Sequence, residues 1–156
     1  MRSAWLADAE HFHRVLLGAS TFFEKAHQDF LDGVGLTPSQ FYLLRTIGAS
    51  PNRALSPKEL QRSFVRRRNL TETVDRVVRA GLATREPNPN DGRSVLIVLT
   101  ADGETILATA VDTYHVALQK LLSPAKDPAR AATVEYLEGF IEHVCDVIGV
   151  EHEPDR

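Results

Sequence analysis

Apolar residues recur along the first thirty positions at Trp5, Ala9, Phe12, Leu16, Ala19, Phe23, Ala26 and Phe30, at spacings alternating between four and three. An α-helix returns to the same side every 3.6 residues, so this stripe predicts one long helix with a single apolar face, its repeat nearer 3.5 than 3.6. The pattern returns as Leu107, Ala110, Tyr114, Ala117 and Leu121, and again as Val134, Leu137, Ile141, Val144 and Ile148. These predict two further helices, broken at LLSPAKDP, where Asp127 and Pro128 offer an N-cap and a first helical residue. Three long striped helices exceed what a small central domain can cover. A helical dimerisation region over residues 1–36 and 104–150 is therefore expected, with an intramolecular bundle as the alternative.

The middle of the chain follows another rhythm. Thr37-Pro38-Ser39-Gln40 is a capping box with proline at the first helical position, and predicts a helix from about Pro38 to Ile47. Ser56-Pro57-Lys58-Glu59 repeats the signature and starts a short helix to about Ser63. After VRRRN, a third helix runs through Leu70, Val74 and Val77 and stops at Gly81. ATREPN and RSVLIVLT then read as two short strands, joined through NPNDG with Asp91-Gly92 as the tight-turn pair. Val95, Ile97 and Leu99 share one strand face, and Thr100 with Asp102 and Glu104 opens the next helix. The expected fold is mainly α with a small two- or three-stranded β-wing. It is a winged helix-turn-helix over residues 37–103, flanked by long N- and C-terminal dimerisation helices.

Charge sharpens this reading. The chain has 156 residues and a formal net charge of −3. Between Arg53 and Arg93 there are 10 basic and 5 acidic residues, a balance of +5, while the remainder carries 8 basic and 16 acidic, a balance of −8. A basic segment inside an acidic protein suggests a local anionic partner, although a solvated helix face would give the same count. With Leu70, Val74 and Val77 inward at 100° per residue, Arg68, Glu72, Asp75 and Arg79 fall opposite, with Arg76 to one side. Arginine suits double-stranded DNA, offering a planar fork for guanine edges and a permanent charge for phosphate.

The sequence resembles the MarR transcription regulators along nearly its whole length. The residues carrying the resemblance are SPKEL (56–60), NLTETVDRVVRAGLATRE (69–86), NDGRS (90–94) and VLTADG (98–103). The resemblance implies that NLTETVDRV is the recognition helix and that Asp91 and Arg93 sit at a wing tip whose arginine enters the minor groove. The candidate DNA-binding residues are thus Arg66, Arg67, Arg68, Asn69, Thr71, Glu72, Arg76, Arg79, Asp91 and Arg93. The turn SFVRRRN is about one residue shorter than the family pattern, which leaves Arg67 and Arg68 as alternative base readers. A homodimer on a pseudo-palindromic operator is also implied. So is a small effector, often an aromatic or phenolic acid, held in a cleft between the DNA-binding and dimerisation regions.

Other chemistries receive less from the sequence. Trp5, Phe12, Phe22, Tyr42 and Arg45 form a candidate effector pocket, an aromatic wall with one arginine that suits an aromatic carboxylate. The same residues serve equally as core and helix-packing positions. The six histidines form no i, i+4 helical pair and no HExxH, so no metal site is assigned. Cys145 is the only cysteine, which rules out an intrachain disulfide and fits a reducing cytoplasm. It reads as a small residue beside the Val144 stripe, with a redox sensor as the alternative. No apolar run approaches the roughly 18 residues of a membrane span, and MRSAWLADAEHFH lacks the apolar core of a signal peptide. Neither a Gly-rich phosphate loop nor a G-x-S-x-G elbow occurs, so no enzymatic activity and no cofactor are expected. The expectation is a sequence-specific, dimeric, ligand-responsive repressor. The alternatives are a helical adaptor module with a winged helix, or a metal- or redox-sensing regulator.

Overall fold

The computed structural model describes residues 2–63, 69–122 and 129–149. The chain divides into two compact units, residues 1–117 and 118–156. The first holds α1 (Arg2–Asp32), α2 (Pro38–Ala49), β1 (Ala54–Leu55), α3 (Pro57–Ser63), α4 (Leu70–Arg79), β2 (Ala83–Asn88), β3 (Asp91–Leu99) and most of α5 (Ala101–Leu122). The second holds the end of α5 and α6 (Ala129–Ile148). The proposed break at Pro124, Asp127 and Pro128 lies outside the described residues.

Local chemistry fixes the helix starts in the middle of the chain. The Thr37 N–H donates to Gln40 Oε1 at 2.8 Å, and the Gln40 N–H returns to Thr37 Oγ1 at 3.3 Å. Ser56 and Glu59 repeat the exchange, with the Ser56 N–H at 2.8 Å and its hydroxyl at 2.6 Å from Glu59 Oε2. Each box satisfies amides that a helix N-terminus would otherwise leave without a partner. Helix α4 ends as its glycine requires. Gly81 takes φ +74°, its N–H bonds Val78 O at 3.0 Å, and the Leu82 N–H bonds Val77 O at 2.9 Å. That pair of bonds is the Schellman stop, in which the left-handed residue turns the chain out of the helix.

The core is one cluster built from every element of the first unit except β1, itself packed against it through Leu55. Leu31 of α1, Phe41, Leu43, Leu44 and Ile47 of α2, Leu60 of α3, Val74 and Val77 of α4, Ile97 and Leu99 of β3 and Ala110 of α5 are buried together. At about 1.5–3 kcal/mol per large apolar side chain, this cluster supplies the main drive for the winged-helix fold. Helix α5 begins hard against it. Thr100 Oγ1 donates to Gly81 O at 2.7 Å and accepts from the Gly103 N–H at 3.0 Å. A Cβ at Gly103 would lie 1.9 Å from Leu82 O, so only glycine permits this approach.

The sheet is antiparallel with strand order β1-β3-β2. β2 and β3 run in register from Ala83↔Leu99 to Pro87↔Val95, then shift to Asn88↔Asp91. The expected turn is corrected here. Pro89 and Asn90 form the turn, while Asp91 and Gly92 already belong to β3. The shift leaves Gly92, Arg93 and Ser94 as an outward bulge. Proline at the turn lacks an amide for the ladder, and the Asn88 side chain caps the turn by accepting the Asn90 N–H at 2.9 Å.

Candidate nucleic-acid interface

Helix α4 separates its faces sharply. Thr73, Val74 and Val77 are buried, and Leu70 is packed against the core. Thr71, Glu72, Arg76 and Arg79 are exposed. Acidic and basic residues at i, i+4 pair along the outer surface, with Arg76 Nη2 2.6 Å from Glu72 Oε1. Arg79 turns its Nε toward the Asp75 carbonyl at 3.3 Å. Asn69 precedes the helix at φ +73°, in the left-handed region that asparagine tolerates better than most residues, and makes no side-chain cap bond. The arginine run Arg66, Arg67 and Arg68 lies outside the described residues.

Asp75 departs from the helical-wheel expectation. It is half-buried rather than facing solvent opposite the core, because Arg85 of β2 reaches across to pair with its Oδ1. Wheel arithmetic places a residue around an isolated helix, and the strand that comes alongside α4 is supplied from ten positions away in sequence.

The wing presents Arg93 to solvent on the bulge. Asp91 Oδ1 accepts the Arg93 N–H at 3.0 Å, so the acidic residue shapes the tip while the guanidinium points away from the core. Ser94 Oγ accepts from Asn88 Nδ2 at 2.8 Å and donates to Asp91 O at 3.3 Å, closing the tip from within. The geometry is a helix face and a basic loop tip displayed by one core.

The effector candidates scatter. The Trp5 side chain lies outside the described residues. Phe12 is half-buried on α1, Phe22 is largely exposed on the same helix, and Arg45 is exposed with its Cζ 5.8 Å from the centre of the Tyr114 ring. Tyr42 alone of the set lines a cleft of about 820 Å³ between α1, α2 and α4. Its other walls include Glu24, His27 and Gln40, with Asn69, Glu72, Thr73 and Arg76 contributed by α4. The lining is polar, unlike the aromatic wall expected. His27 anchors the cleft's inner wall in an aromatic group, 5.3 Å from the Tyr114 ring and 6.3 Å from Tyr42 between centroids. No spacing in the sequence marks His27, since its neighbours come from three different helices. Among the described residues no three His, Cys, Asp or Glu side chains gather as a metal site, and no helix is long and apolar enough to cross a membrane.

Comparison with known proteins follows the same outline. Residues 34–94 match the MarR family model. The multiple antibiotic resistance protein MarR of Escherichia coli is 33% identical over 110 residues, covering 70% of this chain and 75% of that protein. A crystal structure of a MarR variant from the same organism, complexed with operator DNA, superposes with a TM-score of 0.72 at 28% identity, over 83% of this chain and 91% of that one. AbsC, a MarR family transcriptional regulator from Streptomyces coelicolor, shares the fold at a TM-score of 0.79 and 18% identity, over 86% and 93%. With its helix order, three-stranded wing and sequence all in agreement, the chain belongs to the MarR family of winged-helix transcription regulators, which are not enzymes.

Proposed function

We propose that the protein is a sequence-specific repressor that binds double-stranded DNA in the cytoplasm as a homodimer on a pseudo-palindromic operator. The observation carrying this reading is the division of α4, with one face locked into the core and Thr71, Glu72, Arg76 and Arg79 left in solvent beside a wing tip that presents Arg93. Residues 37–103 form the DNA-binding region in this reading. Asn69 and the first turn of α4, with Arg66, Arg67 and Arg68 just before it in sequence, meet base edges and phosphates of the major groove. Arg93 enters the adjacent minor groove, with Asp91 holding its loop.

Dimerisation is supported by apolar surface that this chain leaves uncovered. Leu6, Val15, Leu17 and Phe22 on α1 and Val134, Tyr136, Val147 and Ile148 on α6 are all exposed. Large apolar side chains left exposed on both terminal helices are what an association surface would cover. A second copy also supplies the second recognition helix that half-sites about 34–36 Å apart require. Residues 1–36 and 104–150 take this role. A small effector is assigned to the cleft at Tyr42, because a ligand there would touch Asn69 and the Glu72–Arg76 pair, and so act directly on the reading helix.

Selection of bound duplexes from a random library tests the proposal. An inverted repeat should emerge. With roughly four phosphates neutralised per subunit, log K should fall against log salt with a slope of about −7. Binding indifferent to salt, or no enriched site, would favour a helical adaptor module instead.

A further inference from the structure

We infer that the Asp75–Arg85 ion pair is a positioning contact that locks the recognition helix and the wing into one DNA-reading unit. The inference rests on the DNA-binding reading above. Two surfaces that must enter adjacent grooves at once need a fixed angle between them. The core fixes only part of that angle. β2 buries Ala83, but its next four residues, Thr84 to Pro87, are all exposed. On β3 full burial ends at Ile97, Leu96 is half-buried and Val95 is 40% exposed. The outer half of the hairpin, which carries the Arg93 tip, is therefore not anchored to α4 by apolar packing. Among the described residues the side-chain tie from α4 to β2 is Asp75 Oδ1 to Arg85 Nη2. It lies between the two reading elements, one turn before the exposed Arg79 on the helix and midway between the core and the turn on the strand.

Simple electrostatics and positioning make opposite forecasts for Asp75→Asn. A carboxylate near a DNA polyanion repels it, so if proximity of charge were all that mattered, its neutralisation would strengthen binding and free Arg85 for phosphate. If the pair holds the wing in place, the same substitution weakens binding although a negative charge has been removed. The pair is only half-buried, and exposed pairs contribute little to folding, so the melting temperature should move by no more than about two degrees.

The experiment measures affinity for the selected duplex, with A·T-rich and G·C-rich flanks, for the full-length wild type, Asp75→Asn, Arg85→Gln, the double variant and the charge swap Asp75→Arg/Arg85→Asp. Positioning predicts a roughly 3- to 30-fold loss for each single variant, the range expected for contacts that couple two sites. The double variant should be no weaker than Arg85→Gln, and the swap should recover part of the loss. Discrimination between flanks should collapse while the half-site preference persists. Tighter or unchanged binding by Asp75→Asn would overturn the inference, as would losses that simply add in the double variant. Failure of the wild type itself to bind any duplex in a salt-sensitive way would instead overturn the DNA-binding reading.

Discussion

The winged-helix core and the terminal helices are written in the same apolar rhythm, yet they end in opposite environments. Phe41, Leu43, Leu44 and Ile47 of α2 are fully buried, whereas no described side chain of α1 before Leu31 is buried, nor any of α6. Their termini differ as well. Helices α3, α4 and α5 each place an acidic residue in the first turn and a basic one in the last, and α2 carries its capping box. Helices α1 and α6 have no acidic residue in the first turn and no basic one in the last. Charges matched to the helix dipole stabilise a helix locally, while a bare amphipathic helix depends on what covers its stripe. The core elements thus carry their stabilisation locally, and the terminal helices leave large apolar side chains exposed, which the proposed dimer would cover.

The sharpest way to break that contrast is to truncate one phenylalanine from each region. Phe41 is 0% exposed and Phe22 is 75% exposed. Phe41→Ala should lower the unfolding free energy by about 3–5 kcal/mol, through lost burial and the cavity left behind, at every protein concentration. Phe22→Ala should change intrachain stability by no more than about 0.5 kcal/mol. Its effect should appear in assembly, as a raised dimer dissociation constant and a denaturation midpoint that shifts only where dimers dissociate. Chemical denaturation across a concentration series with analytical ultracentrifugation reads both. Wild-type assembly by Phe22→Ala would remove that part of α1 from the proposed dimer face.

A smaller loss is expected where α5 leaves the core. Gly103→Ala must place a methyl group against the Leu82 carbonyl, and backbone cannot yield as a flexible side chain does. Overpacking of this sort costs about 1–3 kcal/mol, and the shift it forces would reach Thr100 and its bond to Gly81 O. Gly139→Ala on α6 offers the control, since nothing lies within 4 Å of its added Cβ and alanine is the better helix former. Thermal unfolding should rank Gly103→Ala well below wild type and Gly139→Ala at or above it. The reverse order would mean that α6 is packed as tightly as the core.

These regions also differ in how far the sequence revealed them. Capping boxes and apolar periodicity are local, so α2, α3, α4 and the wing strands are legible within a residue or two of their observed ends. β1 is two residues long, too short to show alternation, and exists because Ala54 and Leu55 pair with Val98 and Ile97 more than forty positions away. The wing turn falls at Pro89-Asn90 because three residues of β3 bulge outward, and no rule about Asp-Gly pairs anticipates that count. The exposed face of α4 was readable from Leu70, Val74 and Val77. The Asp75–Arg85 pair and the cleft at Tyr42 and His27 were not, for each unites residues from separate elements. Only the fold sets them side by side.

The smallest expected effect separates the two capping boxes, which share a geometry but not a charge. Thr37 and Gln40 exchange neutral hydrogen bonds, so that box should be indifferent to acid. In the other, the Ser56 hydroxyl and then its N–H hold the Glu59 carboxylate below its ordinary range. A carboxyl whose folded pKa is depressed contributes its full stabilisation above the unfolded value, 4.5 for Glu59, and loses it as pH falls through the folded value. Glu59→Gln keeps the acceptor and removes the charge. The wild type should therefore be the more stable near neutral pH, by no more than about 0.5 kcal/mol given the exposure of the site. That advantage should shrink steadily as pH drops below about 4.5. Gln40→Glu makes the converse substitution and should import the same acid sensitivity to α2. Denaturation midpoints of all three proteins from about pH 7 to pH 3 check both. A wild-type advantage that stayed constant across the range would show that the Ser56–Glu59 bonds stabilise α3 through geometry alone.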